Sequence, residues 1–241
     1  IRALTFQADR EFPHVYLTII DQAGRRDDQQ VLLRGEESRR HAVNSSDSDE
    51  AEGTWSVAIR YLQLGFSHIV PNGLDHALFV FGLFLLSTRV GALLWQISAF
   101  TAAHTITLAL AGAGVITLSS TIVEPLIALS ITYVAIENLL TERMTGWRPI
   151  VVFCFGLLHG LGFAGALSDL GLPANQFLIS LLAFNTGVEI GQLTILLALF
   201  LLIGWARHRS WYRPRISLPC SLAIALVGLY WFLQRISELY P

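Results

Sequence analysis

Residues 68–79 read HIVPNGLDHALF, and they stand where the chain turns strongly apolar. His68, Asp75 and His76 flank a helix break at Pro71-Asn72-Gly73. Before this point charged residues are dense; from Tyr61 onward apolar runs extend for tens of residues. Of 241 residues, 53% are hydrophobic and only 14% charged, against about 25% charged in an average soluble domain. That balance excludes an ordinary soluble enzyme and predicts several membrane spans. A break inside such a span frees backbone groups that only protein or a water-lined cavity can satisfy. It also brings the histidine before it back toward the Asp-His pair after it.

Working outward, the spacing predicts an all-α polytopic membrane protein, a six-helix bundle with an interrupted first helix. The spans lie at about 61–88, 93–112, 121–141, 149–168, 176–205 and 216–235, each supplying the roughly 20 apolar residues that cross a bilayer. The loops after the odd-numbered spans hold Arg89, Arg143, Arg148, Arg207, Arg209, Arg213 and Arg215, whereas the far side has only Arg235 in the C-terminal tail. The positive-inside rule then places the odd-numbered loops in the cytoplasm and both termini outside a bacterial inner membrane.

Residues 1–44 are of a different kind. ALTFQ, HVYLTII and QQVLLR are short and rich in β-branched and aromatic residues, with the turn-like DQAGRRDD between the last two. They predict a β-rich extracytoplasmic segment, the remnant of a larger domain. Residues 45–60, within the acidic NSSDSDEAEG stretch and just beyond it, read as a flexible linker. Residues 61–241 form the transmembrane domain. The chain begins at Ile1 and its one methionine is Met144, so a removed leader or further N-terminal chain is expected upstream. Cys154 and Cys220, both in apolar segments, make no disulfide framework.

The spans carry His68, Asp75 and His76; His104 in FTAAHTITLAL; Glu137-Asn138; His159 in FGLLHGLGFA; and Asn185, Glu189 and Gln192 in FNTGVEIGQL. An ionisable group at the bilayer centre costs about 2.5–3.5 kcal/mol on insertion scales, so these side chains face inward and are functional candidates. At 1.5 Å per residue, His104, His159 and Glu189 fall near the middle of their spans. Imidazole with carboxylate is the ligand chemistry of zinc, nickel and cobalt. The candidate metal site is therefore His68, Asp75, His76, His104, His159 and Glu189. Any one of these histidines has an ordinary alternative, a buried imidazole bonded to a nearby hydroxyl or carbonyl. Glu137 is too deep for that site; Glu137 and Asn138 form an inner pathway station or, alternatively, bridge neighbouring helices. Glycines around His159, including Gly156 and Gly160, predict close helix approach.

GFSHIVPNGLDHALFVFGLFLL, FTAAHTITLAL, VEPLIALSITYVAIENL, FGLLHGLGFAGAL and FNTGVEIGQL together resemble the HupE/UreJ family over about residues 61–205. Members are bacterial membrane proteins associated with hydrogenase and urease accessory genes, some of them nickel permeases. The chain looks most like the subgroup with an extracytoplasmic N-terminal domain. The resemblance to the nickel-transporting branch implies that His68, Asp75 and His76 are ligands. In that branch's second motif, Gly156, His159 and Gly160 are kept, while Phe155 and Gly162 stand where a histidine and a glutamate are expected.

Three functions follow as expectations. The first is a divalent transition-metal permease for a nickel- or cobalt-like ion, with zinc also possible chemically. The second is a membrane scaffold or assembly factor for a metalloenzyme or respiratory complex. The third is an intramembrane zinc-dependent hydrolase, in which a carboxylate activates a metal-bound water.

Overall fold

A computed structural model describes residues 53–87, 89–170 (the backbone alone over 164–170) and 176–238, together with the strand residues 3–4, 14–20, 26–33 and 41–42. Near the N-terminus, β2 (His14–Ile20) pairs antiparallel with β3 (Arg26–Leu33), and β1 (Ala3–Leu4) with β4 (His41–Ala42). The rest of residues 1–52, including the first half (45–52) of the stretch read as linker, lies outside the described residues.

The body is all-α, with seven α-helices among the described residues: α1 (Thr54–Ile69), α2 (Leu74–Leu86), α3 (Val90–Gly112), α4 (Ser120–Leu140), α5 (Arg148–Leu170), α6 (Phe177–Ile203) and α7 (Leu218–Ser237). Four stretches are long and apolar enough to cross a membrane: α3, α4, Phe177–Ala206 and Arg213–Ser237. Helices α1 and α2 pass that test only as a pair, bent by 68°. Two features differ from the sequence expectation: among the described residues at most five spans pass rather than six, since Arg148–Phe163 of α5 is too short, and α1 begins at Thr54, inside the stretch read as linker. Val57 and Tyr61 are buried at i, i+4 spacing, so the core-facing stripe starts before hydropathy becomes continuous.

Glycines set the packing. A Cβ at Gly65 would strike the Phe184 carbonyl and one at Gly187 the Leu62 carbonyl, so α1 and α6 touch backbone to backbone. Gly156 and Gly160 do the same for α5 against the Phe100 and His104 carbonyls of α3, and Gly228 brings α7 onto Ala128 and Thr132 of α4. Small residues at contacts are how membrane helices gain close van der Waals packing where hydrophobicity offers no preference between lipid and protein.

Helix α2 is the centre of the assembly. Phe79, Val80, Leu83, Phe84, Leu85 and Leu86 are all buried, as expected of a short helix that is apolar all round. It ends inside the protein, so its last carbonyls need donors. Asn138 Nδ2 donates to Gly82 O at 2.8 Å, Arg207 Nη2 to Phe84 O at 3.3 Å and Ser217 Oγ to Leu85 O at 3.3 Å.

This arrangement corrects two assignments made from the sequence. Arg148 and Arg207, read as loop arginines, are buried at 2% and 7% exposure. Arg207 lies over the Phe84 ring, 4.4 Å from its centroid. Arg148 pairs with Glu137 at 3.5 Å and donates to Asn138 Oδ1 at 3.2 Å, while Thr145 Oγ1 donates to the other Glu137 oxygen at 3.1 Å. Glu137 and Asn138 thus bridge α2, α4 and α5. The carboxylate offsets the Arg148 charge, which unpaired in low dielectric is strongly unfavourable.

Candidate functional site: a buried imidazole cluster

The break between α1 and α2 builds the first half of the site. Val70 N donates to Phe66 O at 2.8 Å and Gly73 N to Ile69 O at 3.1 Å, so the turn satisfies its own backbone. Gly73 is required sterically: a Cβ there would collide with the His68 carbonyl. This fold-back sets the end of α1 beside the first turn of α2, with the His68 and His76 ring centroids 5.0 Å apart. The close α3–α5 contact made by Gly156 and Gly160 supplies the second half. His104 lies 6.0 Å from His76, and His159 lies 5.0 Å from His76, centroid to centroid.

Ligand-capable atoms of His68, His76 and His104 all fall within 4.8 Å of one another. Three nitrogens bound to one ion at about 2.0–2.1 Å stand about 3.4–3.6 Å apart. Closing the set on a cation therefore needs the widest pair to contract by about 1 Å. His76, His104 and His159 are buried at 2%, 0% and 1% exposure.

The outer ring nitrogens are held so that the inner ones face the centre with a lone pair. His76 Nδ1 lies 3.1 Å from Asp75 Oδ1, and His159 Nδ1 lies 2.8 Å from Phe155 O. Carboxylate and carbonyl oxygens only accept, so each Nδ1 carries the proton. For His104 the logic takes one more step. Asn185 Nδ2 donates to Leu181 O at 2.8 Å, which turns its Oδ1 toward His104 Nδ1 at 3.1 Å and makes that nitrogen the donor. The Nε2 atoms of His76, His104 and His159 are buried and make no hydrogen bond among the described residues. Buried acceptors are normally satisfied, and an imidazole oriented by an outer partner with its inner nitrogen open is the usual state of a metal-ligating histidine.

An aromatic sleeve surrounds the cluster. Phe100 stands 4.9 Å from His159 and 5.7 Å from His76, Phe79 stands 5.4 Å from His159, and Phe163 stands 4.3 Å from His68, centroid to centroid. Such walls exclude water and strengthen any polar interaction at the centre.

The expected residues do not all converge. Asp75 is present through His76, as its orienting carboxylate. Glu189 accepts a hydrogen bond from Ser98 Oγ at 2.7 Å and lines a groove of about 430 Å³ with Thr101, Thr105, Asn185 and Thr186. Neither Glu189 nor His159 is among the clustered ligand atoms of the described residues, which come from His68, His76 and His104; His159 joins the cluster through its ring, beside that of His76. Ser98 precedes His104 by six residues, about 120° around α3, so Glu189 meets a different face of that helix. Asn185, one turn earlier on α6, reaches the cluster instead. The i, i+4 spacing of Asn185 and Glu189 marks their shared face but does not say which of the two meets His104. Replacing Asn185 by leucine is expected to weaken transition-metal binding by about 10–100-fold, the usual cost of losing an outer-shell partner. Isothermal titration of the purified variant measures this, and unchanged affinity would remove Asn185 from the site.

A bundle of apolar helices around a half-helix and a buried set of imidazoles defines a multi-pass membrane protein. More specifically, the chain belongs to the HupE/UreJ family: the sequence model described as HupE / UreJ protein matches residues 44–235. No curated protein and no solved structure matches the chain.

Proposed function

We propose that this protein is a permease for a divalent transition metal of the nickel, cobalt or zinc class, with His68, His76, His104 and His159 binding the cargo as it crosses. One observation carries the reading: several buried imidazoles present inward nitrogens, and at three of them the proton is held on the outward nitrogen. Neutral nitrogen donors select borderline metals. Magnesium and calcium demand oxygen ligands, so they are poor cargo for this cluster.

The same proposal includes six spans, α1 and α2 together forming the first, in a bacterial inner membrane. Without Arg148 and Arg207, five of the seven arginines remain at one end: Arg89, Arg143, Arg209, Arg213 and Arg215. At the other end stand Arg60 of α1 and Arg235, the latter paired with Glu124 at 3.7 Å. The rule of positive loops still sets the arginine-rich end in the cytoplasm and both termini outside. The broken first span opens toward the outer side, where His68, Asp75 and His76 meet incoming metal.

Proteoliposomes containing a trapped metal-sensitive dye test this directly. Nickel or cobalt added outside is expected to quench the dye with saturation, whereas magnesium neither enters nor competes. Stoichiometric binding without flux would overturn transport and favour the assembly-factor reading.

A further inference from the structure

At the arginine-bearing end of the bundle, the turn after α2 and the turn after α4 enclose a cavity of about 430 Å³ whose walls include Ser87, Arg89, Ala92, Glu142 and Arg143. Among the described residues neither Arg89 nor Arg143 has an ion pair or a side-chain hydrogen bond. The one carboxylate present, Glu142, is engaged by Arg213 at 3.6 Å. The cavity therefore offers two uncommitted guanidinium forks, with its negative charge already offset from outside. Guanidinium matches phosphate bidentately, and arginine serves phosphate recognition better than a point charge does.

The surroundings indicate the source of the phosphate. Trp95 follows Ala92 by three residues, on the same face of α3, and is 66% exposed. Leu94, Leu140 and Trp147 are also exposed large apolar side chains around the two turns. Tryptophan concentrates at the membrane–water boundary, with its ring at headgroup depth. A soluble phosphate would have no use for such a rim, whereas a phospholipid places its headgroup on the arginines and its chains along it. Basic pockets between membrane helices are the usual form of a headgroup site.

We propose that the Arg89–Arg143 cavity binds a phosphate group, presented by an anionic phospholipid. The bound headgroup ties the α2–α3 turn to the α4–α5 turn, a junction the protein otherwise holds through Gln96 Nε2 and Met144 Sδ at 3.3 Å. This site is separate from the imidazole cluster and does not depend on the transport reading.

The test is native mass spectrometry of protein released from nanodiscs of mixed phosphatidylcholine and phosphatidylglycerol. Wild-type protein is expected to retain phosphatidylglycerol preferentially. R89Q/R143Q is expected to lose that preference by about tenfold or more, from roughly 1 kcal/mol per basic residue near a membrane surface. Glu142→Gln is expected to strengthen retention, a change of opposite sign that damage to the fold would not produce. A second arm adds inorganic phosphate to protein in phosphatidylcholine alone and follows its thermal midpoint. A phosphate-dependent rise that R89Q/R143Q abolishes, without lipid preference, keeps the phosphate site but overturns the lipid source. Equal lipid retention by wild type and R89Q/R143Q, with no response to phosphate, overturns the proposal.

Discussion

Purified His76→Ala protein is expected to have lost more than about 100-fold in transition-metal affinity, and proteoliposomes bearing it to show no saturable metal flux. His76 is the hub of the cluster: its ring lies 5.0 Å from both His68 and His159 and 6.0 Å from His104. Removing it deletes a direct nitrogen donor, and losing an outer-shell partner alone typically costs 10–100-fold, so the loss of a ligand exceeds that range. Asp75 would also lose its imidazole partner. His104→Ala serves as an independent check from another helix, with the same expected direction. Elemental analysis of wild type and both variants, matched for helical content and elution as intact protein, decides the matter. Wild-type protein without bound metal at micromolar nickel, cobalt or zinc would end the metal reading, as would full retention by both variants.

The second large effect concerns stability. Arg148→Met is expected to destabilise the bundle by about 3–5 kcal/mol, the usual consequence of removing one partner of a buried ion pair. Glu137, its ion-pair partner at 3.5 Å, has a side chain only 9% exposed, so the variant leaves a buried carboxylate with only Thr145 as a hydrogen-bond donor. Asn138 loses a donor as well, and it is the residue that caps Gly82 at the inner end of α2. The double variant E137L/R148M is expected to recover much of that loss, because an apolar pair of similar volume carries no uncompensated charge. Thermal unfolding in detergent gives the ordering wild type, double variant, single variant. The double variant also tests transport: with Glu137 in a bridge, the folded protein should keep its metal flux. Flux abolished in a folded, metal-binding double variant would restore Glu137 to the pathway.

Much of this molecule can be read from residue order alone, for identifiable reasons. Helix positions follow from hydropathy, because a helix in hydrocarbon must satisfy its backbone internally and show apolar side chains over about 20 residues. The break at Pro71-Asn72-Gly73 is equally local, since proline removes a donor and Gly73 has no Cβ to strike the His68 carbonyl. Family membership also rests on residue order: the HupE / UreJ sequence model matches residues 44–235. The glycines of FGLLHGLGFA announced a close approach, and α5 does press on α3 through Gly156 and Gly160.

Other features depend on how helices are rotated and paired, which no one-dimensional pattern contains. The sequence assigned Arg148 and Arg207 to loops; the end of α2 inside the protein needed donors for its carbonyls and drew Arg207 in, while Glu137 and Asn138 gave Arg148 partners. Helical spacing put Asn185 and Glu189 on one face of α6, but a face is wider than a contact. The rotation of α6 against α3 aimed Asn185 at His104 and left Glu189 to Ser98. The sequence by itself determined that this is a membrane helix bundle of the HupE/UreJ family with a break at Pro71-Asn72-Gly73 and costly polar side chains inside. Only the tertiary structure decided which of those side chains meet and which nitrogen of each held imidazole faces the centre, because both depend on hydrogen bonds and backbone contacts between residues far apart in the chain.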